Sequence, residues 1–297
     1  MKKIICILIT FLLISCTEIE HITRPIYRRN VGDNPVVKIK LSTNSSDYRG
    51  DIYFDGNDRI NEVRLEDYLY SVVASEMPRR FNIEALKAQA VAARTYAVNR
   101  LLSNNGSRNY DMFDDQRSQA YNGIKQENEK VRRAVDATRG IILTYNDNPI
   151  DALYTASCGS KTLAAIDYFG KDYPYLQSVD DYSQEEIWKR SINLEDLKNI
   201  LNSETENIED VDNLVYLDDM ILTKKQFKLK MHLRSPRYTV KLIDGVVYIN
   251  GEGYGHCVGM SQVGANNLAK RGYDYVQILK HYYTNVELKR IYQWVRY

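Results

Sequence analysis

Residues Ser75 to Ala97 read SEMPRRFNIEALKAQAVAARTYA, and their reading decides the fold class. Just upstream, Leu65, Leu69, Val72, Val73 and Met77 recur at helical spacing, and Pro78 ends that helix with Glu76 in its last turn. Asn82 is placed to cap a second helix, on which Ile83, Leu86, Ala90, Ala93, Ala97 and Leu101 form one stripe of mostly small residues that permits close packing. Before this helical pair, VVKIKLS (Val36–Ser42) alternates, and DIYFDGNDRINEVRL (Asp51–Leu65) places a Gly-Asn turn between two apolar runs, so both predict strands. After it, a third helix is expected from Glu127 to Thr138. GIILTY, the turn NDNP and DALYTAS then predict a hairpin over residues 140–157. The charged, glycine-poor block from Glu185 to Asn213 reads as helical with loops. RYTVKLIDGVVYING (Arg237–Gly251) is a hairpin turning at Asp244-Gly245, and Ala265–Tyr283 reads as helix, turn, helix. Strands and helices without regular alternation predict an α+β fold, as one discontinuous unit or as two lobes.

The chain has 297 residues, enough for one large domain or two small ones to bury a core without staples. Forty basic side chains against 39 acidic ones leave a net charge of +1, which offers no field to gather nucleic acid. Tyrosine is abundant, at 24 residues against 6 Phe and 2 Trp; its flat face and hydroxyl suit both sugar stacking and half-buried strands. The first sixteen residues, MKKIICILITFLLISC, place two lysines before an apolar run too short to span a bilayer. Ser15 before Cys16 has the form of a bacterial lipoprotein signal, making Cys16 the expected lipidated first residue of the mature chain. Residues 17–33, polar and rich in Arg and Asn, read as a tether to a folded region spanning 34–297. The expected location is the cell envelope, with the protein held on a membrane by its lipid.

Two local features carry chemistry. Glu76 is an acid in a last helical turn, where the macrodipole opposes negative charge, and Val72, Val73 and Met77 flank it. Both influences raise a carboxyl pKa toward what a general acid needs. Far downstream, GYGHCVGMSQVGA (Gly253–Ala265) carries four glycines that allow close backbone approach, with His256, Ser261 and Gln262 as polar groups able to fix sugar hydroxyls. It is no phosphate loop, since GxxxxGK[ST] is absent. Asp114 with Asp115, and Asp180 with Asp181, are the acids to weigh as a second carboxylate.

Together these stretches resemble the SpoIID/LytB family of cell-wall proteins. NEVRLEDYLYSVVASEMP and EALKAQAVAARTYA are similar to its first signature, PYLQSVD to its middle, and GYGHCVGMSQVGA with ILKHYY to its last. The resemblance implies an α+β fold around a glycan cleft and lytic transglycosylase action on peptidoglycan strands stripped of stem peptides. Such enzymes cleave between N-acetylmuramic acid and N-acetylglucosamine and leave a 1,6-anhydro sugar. It places the catalytic acid, later the base, at Glu76, so no second carboxylate is needed and Asp114, Asp115, Asp180 and Asp181 become surface or loop acids. Gln89 and Arg94 match polar positions of the signature and join His256, Ser261 and Gln262 as expected glycan contacts. Glycan strands are the implied substrate, and a cell-wall amidase the implied protein partner. A non-catalytic glycan-binding or amidase-stimulating module is the alternative.

The reaction itself requires no cofactor, but two departures involve cysteine. Cys257 stands where the motif usually has glycine, and Cys158 where serine is common. Three readings stay open for the pair: a disulfide near the cleft, a zinc site with His256, or unrelated thiols. No CxxC or finger-like spacing indicates structural metal.

Overall fold

The computed structural model describes residues 34–42, 47–104, 106–184 and 186–291. The expected signal, Cys16 and the tether lie outside the described residues. Within them the fold is α+β, with helices surrounded by several small sheets.

Alternation at the start of the chain does what its period implies. In Val36–Lys40 the side chains of Val37 and Ile39 point into the core while the lysines stay at the rim. This strand pairs antiparallel with Asp58–Arg64, which is joined through the Gly56 turn to Asp51–Asp55, and Met112–Phe113 closes the far edge in parallel. Helix α1, Leu65–Glu76, leaves the sheet without a break. Met77, which precedes Pro78, is held extended at φ −123°, so the helix stops with Glu76 as its last residue.

Helix α2, Ile83–Asn104, starts where the Asn82 side chain accepts the Glu84 N–H at 3.0 Å. It is buried on nearly every side through Val98 rather than along one stripe. Alanines at 85, 88, 90, 92, 93 and 97 let α1, α3 (Glu129–Ala137) and the strand Ile141–Tyr145 approach its axis closely. Helix α4, Ala165–Phe169, is a short turn at the surface.

The hairpin expected over residues 140–157 is shorter than predicted. Ile141–Tyr145 turns at Asn146 and Asp147, both with positive φ, and its returning hairpin arm is just Asn148–Pro149. Pro149 lacks an N–H to continue the ladder, and Glu287–Arg290 occupies the other edge. Tyr154–Thr155 pairs instead in parallel with Met260–Ser261, which brings two distant motifs side by side.

The block expected to be helical with loops is mixed. Ile187–Asn193 is a strand paired with Val246–Glu252, α5 spans Leu194–Leu201, and Ile208–Val211 is a second strand. Ile187 is exposed while Arg190 faces inward and donates to the Met231 carbonyl, which hid the period of two. Together with α6 (Lys224–Lys230) and the Tyr238–Ile243/Val246–Glu252 hairpin, turning at Asp244 and Gly245, these elements enclose a separate core. Trp188, Leu197, Val215, Phe227, Val247 and Ile249 fill it. The main core draws on both flanks of this insert, including α7 (Gln262–Lys270) and α8 (Tyr275–Tyr282). Of the two architectures expected, the described residues therefore form two lobes. The insert enters and leaves at one place, where Ile187 lies opposite Glu252 and the Gly253 N–H donates to the Glu186 carbonyl at 2.6 Å.

Candidate functional site

Glu76 ends α1 at the floor of a cleft of about 670 Å³ between the two lobes, lined by Tyr154, Tyr168, His256 and Gln262 from the main lobe and by Lys228 and Arg234 from the insert. Burial raises its carboxyl above the usual glutamate range, and three hydrogen-bond donors oppose that rise. The Ala120 N–H donates to Oε1 at 2.7 Å, the Tyr154 hydroxyl lies 3.3 Å from the same oxygen, and Gln262 Nε2 donates to Oε2 at 3.3 Å. Tyr154 also reaches Gln119 Oε1 at 2.8 Å, and Gln119 Nε2 donates to the Tyr68 hydroxyl at 3.2 Å. One hydroxyl hydrogen cannot serve Glu76 and Gln119 together. It can turn to Glu76 when the carboxylate is charged and to Gln119 when it is protonated, so the site accepts both states without moving a backbone atom.

The glycine-rich stretch reaches this floor because its backbone packs against Leu153–Thr155. Gly255 has φ +113°, and a Cβ there would fall 2.1 Å from Thr155 Oγ1; at Gly259, φ +75°, one would fall 2.0 Å from the Leu153 carbonyl. Cys257 adopts φ +61°, a left-handed conformation that costs a non-glycine residue of order 1 kcal/mol. This gives a physical reason for glycine at the equivalent place in the motif that the chain resembles.

The residues expected to contact glycan divide. Gln262 touches Glu76, and His256 lines the cleft beside the rings of Tyr168 and Phe169, each 6.0 Å away. His256 Nδ1 accepts the Val258 N–H at 3.0 Å, leaving Nε2 as the donor; burial holds the imidazole down to about 4, so it is neutral at ordinary pH. Gln89 is fully buried behind Gln262, whose Nε2 lies 3.4 Å from its Oε1, and the Gln89 Nε2 has no partner among the described residues. Ser261 is also fully buried: its hydroxyl caps α7 by accepting the Gly264 N–H at 3.0 Å, which aims the next residue, Gln262, at Glu76. Arg94 is not a cleft residue either. It is wholly buried, donates to Glu66 at 2.9 and 2.8 Å, and reaches the carbonyls of Val135 and Ile141 at 3.2 Å, bracing α2 against α1 and α3.

The acids weighed as a second carboxylate stand away from the cleft lining, though two are buried rather than superficial. Asp114 accepts the Ser42 N–H at 2.8 Å, and Asp181 accepts the Tyr282 hydroxyl at 2.6 Å and the Cys158 N–H at 3.2 Å. Sequence reasoning missed Tyr154 and Gln119. Neither carries a local signal, since their role comes from a parallel strand pair and a loop that fold against Glu76.

Cys158 and Cys257 are both fully buried with their thiols together, and both are free. Burial pushes the Cys158 thiol far above its ordinary range, and the Cys257 thiol beside it adds to the rise. The donor set does not fit zinc, because His256 spends Nδ1 on the backbone and no group of three or more His, Cys, Asp and Glu suited to a metal exists among the described residues. A second hollow of about 560 Å³, lined by Trp188, Tyr238 and Asn250, lies against the insert; its Arg237 and Glu252 are already paired with each other, and Glu76 does not reach it.

Comparison with known proteins identifies the family. The model of the SpoIID family, described as stage II sporulation protein, matches residues 53–145, which hold Glu76, Gln89 and Arg94. The stage II sporulation protein D of Bacillus amyloliquefaciens is 31% identical over 300 residues, covering 91% of this chain and 86% of that protein. An uncharacterised protein of Brachyspira hyodysenteriae is 34% identical over 271 residues, 84% of this chain and 74% of its own length. The amidase enhancer of Bacillus subtilis is 27% identical over 74% of this chain and 40% of that protein. The chain belongs to the SpoIID family. That membership supports a role connected with the bacterial cell wall.

Proposed function

We propose that the protein is a lytic transglycosylase of peptidoglycan that cuts the bond between N-acetylmuramic acid and N-acetylglucosamine in strands stripped of peptide. The observation that supports this most is the singleness of the acid. Among the described residues lining the cleft, Glu76 is the sole carboxyl, its pKa is raised, and Tyr154 can partner either of its protonation states. A hydrolase of the usual design needs two carboxylates across the scissile bond. An intramolecular closure needs one. Glu76 gives its proton to the leaving glycosidic oxygen, and its carboxylate, held by the Ala120 N–H and Gln262, then takes the proton of the muramic C6 hydroxyl. That oxygen closes on the anomeric carbon to give the 1,6-anhydro ring, and Glu76 is left protonated for the next bond. His256, neutral, stands in the cleft wall as a sugar contact, its ring hydrogen-bonded to the Val258 and Tyr154 backbone.

We place the protein in the cell envelope as a lipoprotein anchored through Cys16, with a cell-wall amidase as the activity that prepares its strands. Digestion of peptide-free strands by wild type and Glu76→Gln protein, with mass analysis of the products, tests the activity. Anhydro ends from wild type alone are expected; reducing ends would make it a hydrolase. No cleavage by folded wild type would favour the glycan-binding or amidase-stimulating module.

A further inference from the structure

The insert contributes charge to the cleft that acid–base chemistry at Glu76 does not use. Against the single acid, the lining carries Arg100, Arg117, Lys228 and Arg234. Arg100 is paired with Asp151 at 2.9 Å and Arg117 with Asp115 at 2.7 Å. No acid among the described residues pairs with Lys228 or Arg234, and both come from the insert.

Lys228 is held where it is. A capping box between Thr223 and Gln226 starts α6, Phe227 is buried in the core of the insert, and Lys228, next on the helix, lines the cleft. Its neighbours on the helix are committed, Lys224 to Asp210 at 2.8 Å and Lys225 to the rings of Tyr168 and Phe169 at 4.8 and 5.3 Å. Lys228 is half-buried, and this burial holds its ammonium below the ordinary lysine range. A cation that has lost water without gaining a counter-charge favours any anion brought to it. Arg234 lines the same cleft, and its carbonyl accepts the Gly255 N–H at 2.9 Å, which ties this residue to the glycine-rich loop.

We propose that Lys228 and Arg234 form an anion subsite that binds a carboxylate carried by the glycan strand. The inference rests on the glycan reading above. On a stripped strand that anion is the lactyl carboxylate on C3 of each muramic residue. When a stem peptide is attached, the same carboxyl is an amide and carries no charge. The subsite therefore discriminates by charge at one atom group, apart from any exclusion by bulk, and it places this specificity on the insert while the acid stays on the main lobe.

Full-length protein carrying Glu76→Gln, which leaves strands intact, is titrated with peptide-free strands and with the same strands after their lactyl carboxylates are converted to methylamides. The amidated strands are expected to bind about tenfold more weakly, the equivalent of ~1.4 kcal/mol. Adding Lys228→Gln and Arg234→Gln is expected to weaken binding of the free-carboxylate strands by a similar factor and to abolish the discrimination, while Lys228→Arg retains it. Unchanged melting temperatures exclude a folding effect, since neither side chain is in a core. Equal binding of both strands, or no effect of the glutamine variants, would overturn the inference and leave the glycan reading intact. Binding of neither strand, with no cleavage by wild type, would remove the glycan reading and the inference together.

Discussion

Replacing Arg94 by methionine separates a brace from a ligand contact. The side chain is wholly buried, and its guanidinium meets both oxygens of Glu66, itself 1% exposed, at 2.9 and 2.8 Å. Methionine keeps the length and removes every donor, so the Glu66 carboxylate stays in the core without that counter-charge and the Val135 and Ile141 carbonyls lose a donor. Removing one partner of a buried pair costs about 3–5 kcal/mol, a large share of the roughly 5–15 kcal/mol that holds a domain. At about 2–4 °C per kcal/mol for a fold of this size, the melting temperature falls by about 6–20 °C. Thermal unfolding followed by circular dichroism measures it. The double variant Glu66→Leu/Arg94→Met is expected to recover much of the loss, because the buried carboxylate is gone with its counter-charge. An unchanged melting temperature together with weakened glycan binding would refute the reasoning and return Arg94 to the cleft.

Two further predictions concern Glu76. Gln262→Met removes a donor that holds the Glu76 pKa down, so the carboxyl keeps its proton to higher pH and the alkaline limb of the pH–activity profile moves up; an unmoved or lowered limb would count against Glu76 as the proton donor. The second is about stability. Because the folded pKa of Glu76 lies above its unfolded value, wild type is relatively most stable below the unfolded carboxylate range and loses that advantage as pH rises through the folded pKa. The melting temperature of Glu76→Gln minus that of wild type is therefore expected to grow from acid toward neutral pH, and a flat difference would mean that the carboxyl is not desolvated.

Much of this arrangement was legible in the chain because it is local. The period of two at Val36–Lys40, Pro78 ending α1 on Glu76, the Asn82 cap and the Asp244-Gly245 turn each act through neighbours in sequence. The Ile187–Asn193 strand was not legible, since it exposes an apolar residue, Ile187, and turns a charged one, Arg190, inward, which breaks the alternation. At the site, the acid and the glycine-rich wall could be read, but the second rank could not. Whether Ser261 faces sugar or caps a helix depends on a bond to Gly264 that forms only once α7 begins, and whether Arg94 meets glycan or Glu66 depends on a contact across 28 positions. Tyr154 gains its meaning only from the parallel pairing with Met260–Ser261, which no turn or periodicity announces.

The common doorway of the insert, at Glu186–Ile187 and Glu252–Gly253, has a consequence for how such a protein diversifies. A segment with its own core, spliced in through a single hydrogen-bonded gate, can be lengthened, recharged or exchanged without rerouting the chain that carries the acid. Surface shape and charge can then change on one lobe while Glu76 and the groups that hold it keep their places on the other.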